Sequence, residues 1–182
     1  MSPPAKPDDV LLDVADLSVT FSTAKGPVRA VRGVSFKLGR EKLGIVGESG
    51  SGKSQTGRAI LGLTGASSTV EATTLSFAGI DLRGASKRTW RSVRGSRISM
   101  IMQDPKYSLN PVMTIGQQLV EAARVKKGLS GKAARDAAMA MLEAVRIDDP
   151  ERVFSAYPHE LSGGMGQRAM IAMMLIPDPD VL

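Results

Sequence analysis

The sequence predicts an α/β phosphate-loop fold with an antiparallel β portion near the N-terminus and a helical subdomain in the second half. Three observations carry that prediction. The first is Gly47-Glu48-Ser49-Gly50-Ser51-Gly52-Lys53-Ser54, which fits the phosphate-cradling pattern G-x-x-x-x-G-K-[ST]. The second is its context: Lys42–Val46 reads as a short buried strand feeding the loop, and Ser54–Leu63 as the helix leaving it, with Ala59, Ile60 and Leu63 on one face. The third is a pair of strand-like stretches before the loop and a run of amphipathic helices after residue 113.

Each residue type in the loop has a physical task. Glycines permit positive φ and turn backbone N–H groups inward, making a concave nest for anionic oxygens. The following helix start adds further N–H groups and its dipole. Lys53 brings a mobile positive charge for the outer phosphates, and Ser54 a hydroxyl for Mg²⁺. By composition, the four fixed positions match by chance at about 1 in 20,000 starts, so an ordinary glycine-rich turn is a poor alternative. The chain is expected to bind a nucleoside triphosphate.

Composition bounds the rest. A chain of 182 residues, 42% hydrophobic with mean hydropathy −0.04, buries a real core as one domain or one domain with subdomains. The longest apolar run, Ala169–Ile176, is too short to cross a bilayer. Residues 1–9 lack the apolar segment of a signal peptide and read as a disordered lead-in. With no cysteine, disulfides and thiolate metal sites are excluded. The net charge of +6 is matched by Arg83, Lys87, Arg88, Arg91, Arg94 and Arg97, with no acid between them. That run is either a solvated helix face or a contact for nucleic acid or a membrane surface.

In chain order, Val10–Ser22 is rich in Val, Leu, Thr and Phe but alternates unevenly, and reads as one strand. Lys25-Gly26-Pro27 reads as a turn, and Val28–Leu38 continues with Val34, Phe36 and Leu38 on one face, so a hairpin is expected. Phe21 near the end of the first strand is either a core aromatic or a platform for an adenine ring, because base–aromatic stacking contributes about 1–3 kcal/mol. Glu71–Phe77 is a further strand and Ala78-Gly79-Ile80-Asp81 a turn. Ser86–Arg94 is a short basic helix whose Trp90 reads as a packing residue rather than a ligand platform.

Arg97–Met102 reads as a buried parallel strand, and Gln103–Pro111, with two prolines, as a loop. Gln103, just past that strand's C-terminal end, sits where ligands bind in open α/β sheets. It is either an ordinary loop glutamine or a group that reaches a metal or an attacking water.

Thr114-Ile115-Gly116-Gln117 is a capping-box start, followed by Ile115, Leu119, Ala122 and Ala123 on one face. Ser130 is placed to cap a second helix carrying Ala137, Ala138, Met141, Leu142 and Val145. Pro150–Tyr157 is a short third piece. Ser162 is placed to cap the helix running to Ile176, and with the following glycine N–H groups it forms a second anion site. His159 has no partner histidine or cysteine for a metal and reads as structural.

The phosphate loop, Gln103 after its strand, and Leu161-Ser162-Gly163-Gly164-Met165 together resemble the Walker A loop, Q-loop and signature motif of ABC-type ATPases. Gln103-Asp104-Pro105-x-x-Ser108-Leu109-Asn110-Pro111 and Tyr157-Pro158-His159-Glu160-Leu161-Ser162-Gly163-Gly164-Met165 resemble one branch, the ATP-binding subunits of dipeptide, oligopeptide and nickel importers. The resemblance runs from about Val10 onward. It divides the chain into a lead-in (1–9), a nucleotide-binding core (10–102), a Q-loop and helical subdomain (103–163), and a signature helix with the start of the Walker B strand (164–182).

The resemblance implies an ATPase that couples MgATP binding and hydrolysis to uptake of peptides or similar small solutes. Gly47, Glu48, Ser49, Gly50, Ser51, Gly52, Lys53 and Ser54 would hold one ATP, with Phe21 stacking on adenine. Ser54 and Gln103 would attend the Mg²⁺, and Lys53 and Gln103 would support catalysis. Ser162, Gly163 and Gly164 would close over the ATP of a facing second ATP-binding subunit, identical or not. Implied partners are two membrane-spanning permease subunits and an extracytoplasmic solute-binding protein, with no direct nucleic acid, and the implied place is the cytoplasmic face of the cell membrane.

Asp178-Pro179-Asp180-Val181-Leu182 resembles the approach to the Walker B strand, with the family's metal-binding aspartate and catalytic glutamate falling beyond Leu182. Asp178 and Asp180 lie before that strand, so the chain as given resembles a truncated cassette without a complete catalytic set. A soluble ABC ATPase acting on nucleic acid or ribosomes, and a non-catalytic nucleotide-binding module, are the other readings.

Overall fold

The computed structural model describes residues 10–104 and 108–182. The expected lead-in and Pro105, Lys106 and Tyr107 lie outside the described residues. The chain divides into two compact units, residues 1–91 and 92–182.

In the first unit, β1 (Leu12–Thr23) and β2 (Gly26–Leu38) form the expected hairpin. The turn is Ala24-Lys25, closed by the Thr23↔Gly26 pair, with Gly26 at φ 108. Thr23 Oγ1 donates to the Gly26 carbonyl at 2.7 Å. The uneven alternation of β1 is a bulge. Leu12 and Val14 are buried, then Leu17 and Val19, so the buried set changes parity between them. Asp16, at φ 54, is the extra residue: three steps along β1 oppose two along β2 between Val14↔Phe36 and Leu17↔Val34.

That bulge also breaks the strand expected over Glu71–Phe77 into two. β3 (Ser68–Glu71) pairs with Ser18–Phe21, and β4 (Thr74–Phe77) pairs with Leu12–Ala15, both antiparallel. β4 turns through Ala78 and Gly79, at φ 46 and 78, into β5 (Ile80–Asp81), which the sequence had placed in the turn. The sheet core is Leu12, Val14, Leu17, Val19, Val31, Leu75 and Phe77.

Two expectations fail here. Lys42–Val46 forms no strand; residues 42–48 have no regular structure, and Val46 is 97% exposed. A parallel strand exists only through hydrogen bonds to distant neighbours, and among the described residues no segment pairs with this one. The phosphate-loop helix, α1, covers Lys53–Ile60 rather than reaching Leu63, which is exposed; Thr56, Ala59 and Ile60 are its buried residues. α2 (Lys87–Val93) matches the basic helix, with Ser86 Oγ accepting from the Thr89 amide.

The second unit is helical. α3 (Ile115–Lys127) starts on a complete capping box: Thr114 Oγ1 accepts from the Gln117 amide, and Gln117 Oε1 accepts from the Thr114 amide. α4 (Gly131–Ala144), α5 (Pro150–Ser155) and α6 (Gly163–Leu175) pack with α3 around Ile115, Leu119, Ala123, Ala138, Leu142 and Met170. Ser130 occupies the N-cap of α4, but its side chain makes no capping hydrogen bond, correcting that expectation. Gly116 lets α5 come close: a Cβ there would lie 2.4 Å from the Phe154 ring, over which the Arg135 guanidinium stacks at 4.4 Å.

The parallel strand expected over Arg97–Met102 is reduced to a bridge at Ile98 with Val181, where the Ser99 amide donates to Val181 and the Val181 amide to Arg97. Ile98 also bridges Arg94, but isolated bridges do not make a ladder. Asp178 and Asp180 precede Val181, Asp178 at φ 59 in a turn and Asp180 accepting from Arg97 Nε at 2.8 Å.

Candidate functional site

The phosphate loop is built by its glycines and held by one wall of the sheet. Gly50 and Gly52 take φ 83 and 94, a region L side chains rarely adopt. Gly52 serves as the N-cap of α1, and its carbonyl accepts from the Thr56 amide at 2.8 Å and from Thr56 Oγ1 at 3.1 Å. A Cβ on Gly52 would sit 2.3 Å from the Ala30 carbonyl oxygen and 3.3 Å from Val31 Cγ2. Ala30 is itself a bulge residue, because Val19 pairs with Val31 and Thr20 with Arg29, leaving Ala30 without a partner on β1. Sequence reasoning passed over Ala30; the only trace is its place in an apolar pair within a basic, alternating strand.

Lys53 folds back into the loop. Its Nζ donates to the carbonyls of Gly47 and Glu48, each at 2.7 Å, and to Ser51 Oγ at 3.4 Å. The Ser51 amide closes the turn onto the Glu48 carbonyl at 3.2 Å. A Cβ on Gly47 would meet Ser51 Oγ at 2.6 Å, so a side chain there would have to displace the Ser51 hydroxyl. Residues 47–51 and Ser54 are exposed, and the Ser54 hydroxyl has no hydrogen-bond partner among the described residues. A positive centre held inside a ring of backbone, with a free hydroxyl one residue on, suits a polyphosphate with its divalent cation.

Phe21 is half-buried in β1, between Val28 of β2 and Ser68 of β3. It lies two residues from Val19, whose pair Val31 touches the Gly52 position. Two strand residues share a face and span about 7 Å. Phe21 thus lies on the loop's side of the sheet, one side-chain row away rather than in contact.

In the second unit, Gln103 is exposed just past the Ile98 bridge. The segment from Asn110 to Met113 is anchored by Gln118, which is 6% exposed: its Oε1 accepts from the Asn110 amide at 2.8 Å, and its Nε2 donates to the carbonyls of Asn110 and Met113. Gln118 escaped sequence reasoning because a polar residue beside the apolar stripe, three after Ile115 and four before Ala122, reads as its solvated margin. Ser162 caps α6, its Oγ accepting from the Met165 amide at 3.4 Å. Gly163 and Gly164 form the first exposed turn, and a Cβ on either would meet nothing within 4 Å. Tyr157 and His159 stack with centroids 5.6 Å apart, and among the described residues no cluster of three acids or histidines could hold a metal.

Comparison with known proteins follows the same lines. Residues 31–182 match the family model for ABC transporters. An oligopeptide transport ATP-binding protein, OppD, of Salmonella typhimurium is 45% identical over 97% of this chain and 53% of its own length. A dipeptide transport ATP-binding protein, DppD, of Bacillus subtilis is 48% identical over 94% of the chain and 52% of the relative. The chain therefore spans about half the length of the curated relatives it matches. Among solved structures, a dimeric ATP-binding cassette in a post-hydrolysis state with ADP and Pi superposes with a TM-score of 0.80 at 24% identity, covering 93% of this chain and 71% of that one.

Proposed function

The chain belongs to the ABC transporter family, and on that premise we propose that it is the ATP-binding, energy-coupling part of a peptide importer. The observation that carries the reading is the phosphate loop, with Gly50 and Gly52 at positive φ and Lys53 Nζ inside the ring they make. The relatives' names, oligopeptide and dipeptide transport ATP-binding proteins, support the peptide class.

In this reading the phosphate oxygens of ATP replace the carbonyls of Gly47 and Glu48 as acceptors for Lys53. The backbone N–H groups of residues 48–54 complete the cradle. The Ser54 hydroxyl would hold Mg²⁺, with the Gln103 amide as the family's further candidate for that ion, and the metal would supply charge neutralisation to the phosphates. Phe21 receives the adenine face. Ser162, Gly163 and Gly164 present a capped helix start to the ATP of a second cassette. Two permease subunits and an extracytoplasmic solute-binding protein complete the transporter, with the cassette at the cytoplasmic face of the membrane. No helix among the described residues is long and apolar enough to cross a membrane.

Lys53→Ala tests the loop. Removing a charge-assisted donor from a phosphate costs about 1.5–3 kcal/mol, so MgATP affinity measured by calorimetric titration is expected to fall by one to two orders of magnitude. Unchanged affinity in a folded variant rules the assignment out.

A further inference from the structure

The charge of this chain is unevenly placed. Residues 10–91 hold twelve Lys and Arg against six Asp and Glu, whereas residues 92–182 hold eleven against ten. The densest part of the excess is α2, set in a stretch from Leu82 to Gln103 that contains no acid.

Of three cations on α2, only Arg91, in the last turn, complements the helix dipole. Lys87 and Arg88 occupy the first turn, which has no acidic residue, so they oppose the helix dipole. Lys87 and Arg91 are spaced i,i+4, and Arg88 and Arg91 i,i+3, both like-charge pairs that disfavour a helix. All three are exposed, and none has an ion-pair partner among the described residues. At about 100° per residue they fall within one arc of about 100°. The opposite side is fixed inward: Val93 is fully buried, and half-buried Trp90 lines a cavity of about 460 Å³ with Ala59, Gly62 and Leu82. The neighbouring Arg83 is committed elsewhere, its Nε and Nη2 on Asp81 and its Nη1 on the Thr73 carbonyl.

We propose that the Lys87, Arg88 and Arg91 face of α2 is a contact for anionic lipid headgroups, in addition to any protein partner. An ordinary solvated helix intersperses acids among its bases; this one presents a fixed cationic arc with no internal counter-charge. A lipid surface fits better than nucleic acid because the one aromatic of the helix points into the cavity, leaving no platform for base stacking. Each Lys or Arg near an anionic leaflet adds attraction that salt weakens. The choice of lipid rests in part on the transporter reading, but the contact itself needs no nucleotide.

Vesicle flotation of the full 182-residue chain without ATP tests it, with phosphatidylcholine vesicles alone or mixed with phosphatidylglycerol. The chain should float with the anionic vesicles only, and salt should release it. The triple variant K87Q/R88Q/R91Q should lose on the order of a hundredfold in partition. The control K25Q/R29Q/R32Q removes the same charge from the β1–β2 hairpin and should float as the parent does. Equal loss in both triples would reduce the effect to net charge and overturn the proposal, as would equal flotation with phosphatidylcholine. Tighter binding of an oligouridylate, lost in the α2 triple, would replace lipid with RNA. Failure here with intact MgATP binding would leave the ATP reading standing, and the reverse result would leave this contact standing.

Discussion

The phosphate loop and the start of α6 both offer glycine-rich backbone at a helix N-terminus, yet their glycines answer to different demands. Gly52 is required by the chain itself: φ 94 and a Cβ position 2.3 Å from the Ala30 carbonyl leave no room for any side chain. Gly163 and Gly164 are required by nothing in the chain, since a Cβ on either meets open space. Glycine inside a helix costs about 0.5–1 kcal/mol relative to alanine. A loop whose glycines are locked by its own scaffold is preorganised. A helix start whose glycines are locally unnecessary keeps its backbone bare for something from outside. In the proposed reading the first serves the ATP of this chain, and the second the ATP of a facing cassette.

The comparison breaks most visibly at Gly52. Gly52→Ala forces either the loop off β2 or a shift of the Ala30 bulge, and strains φ at the same residue. The combined cost should exceed the 1–3 kcal/mol, roughly, of one strained backbone position. Thermal melting should drop sharply and MgATP binding should vanish. A variant that melts and binds like the parent would show that the loop does not lean on Ala30.

Phe21→Ala is the next largest. Loss of a stacking platform costs about 1–3 kcal/mol for a ligand with a base and nothing for one without. Affinity for ATP should therefore fall by about 5- to 150-fold, with inorganic triphosphate unchanged. Equal losses for both ligands would make Phe21 a wall of the sheet, which its pairing between Val28 and Ser68 also permits.

What was legible in the sequence was what neighbours in sequence decide. The Thr114–Gln117 capping box, the β1–β2 hairpin and the Ser162 cap are local, and each stands in the structure. Ser130 had the right residue at the right place, yet its hydroxyl does not cap, since an N-cap position permits that bond without compelling it. The misses are non-local. The apolar run at Lys42–Val46 carries a strand composition, but pairing must come from elsewhere in a sheet, and Leu43, Ile45 and Val46 stand exposed. The split of Glu71–Phe77 into β3 and β4 depends on a bulge at Asp16, more than fifty residues away in sequence. In the site, Lys53 and its glycines were legible by spacing, whereas Ala30 and Gln118 act through a bulge carbonyl and a buried amide that no pattern marks.

The smallest expected effect sharpens the comparison furthest, because it has opposite signs in two settings. Gly164→Ala lies in the first turn of α6, where the new methyl meets no atom within 4 Å. Alanine lowers the conformational entropy of the unfolded chain and improves helix propensity, so the isolated chain should be stabilised by about 0.4–1 kcal/mol. Denaturant melts would show this as a higher midpoint with an unchanged slope. MgATP affinity of the isolated chain should not move, because the residue lies outside the phosphate loop. In a transporter assembled from two cassettes, the same methyl would stand between the α6 start and the facing subunit's ATP, and nucleotide-dependent pairing of the cassettes should weaken. The isolated-chain gain excludes misfolding as the cause of that loss. If the variant is instead destabilised, the open space around Gly164 is filled by the chain itself. If pairing survives unchanged, Gly164 faces solvent and the shared-site reading of α6 fails.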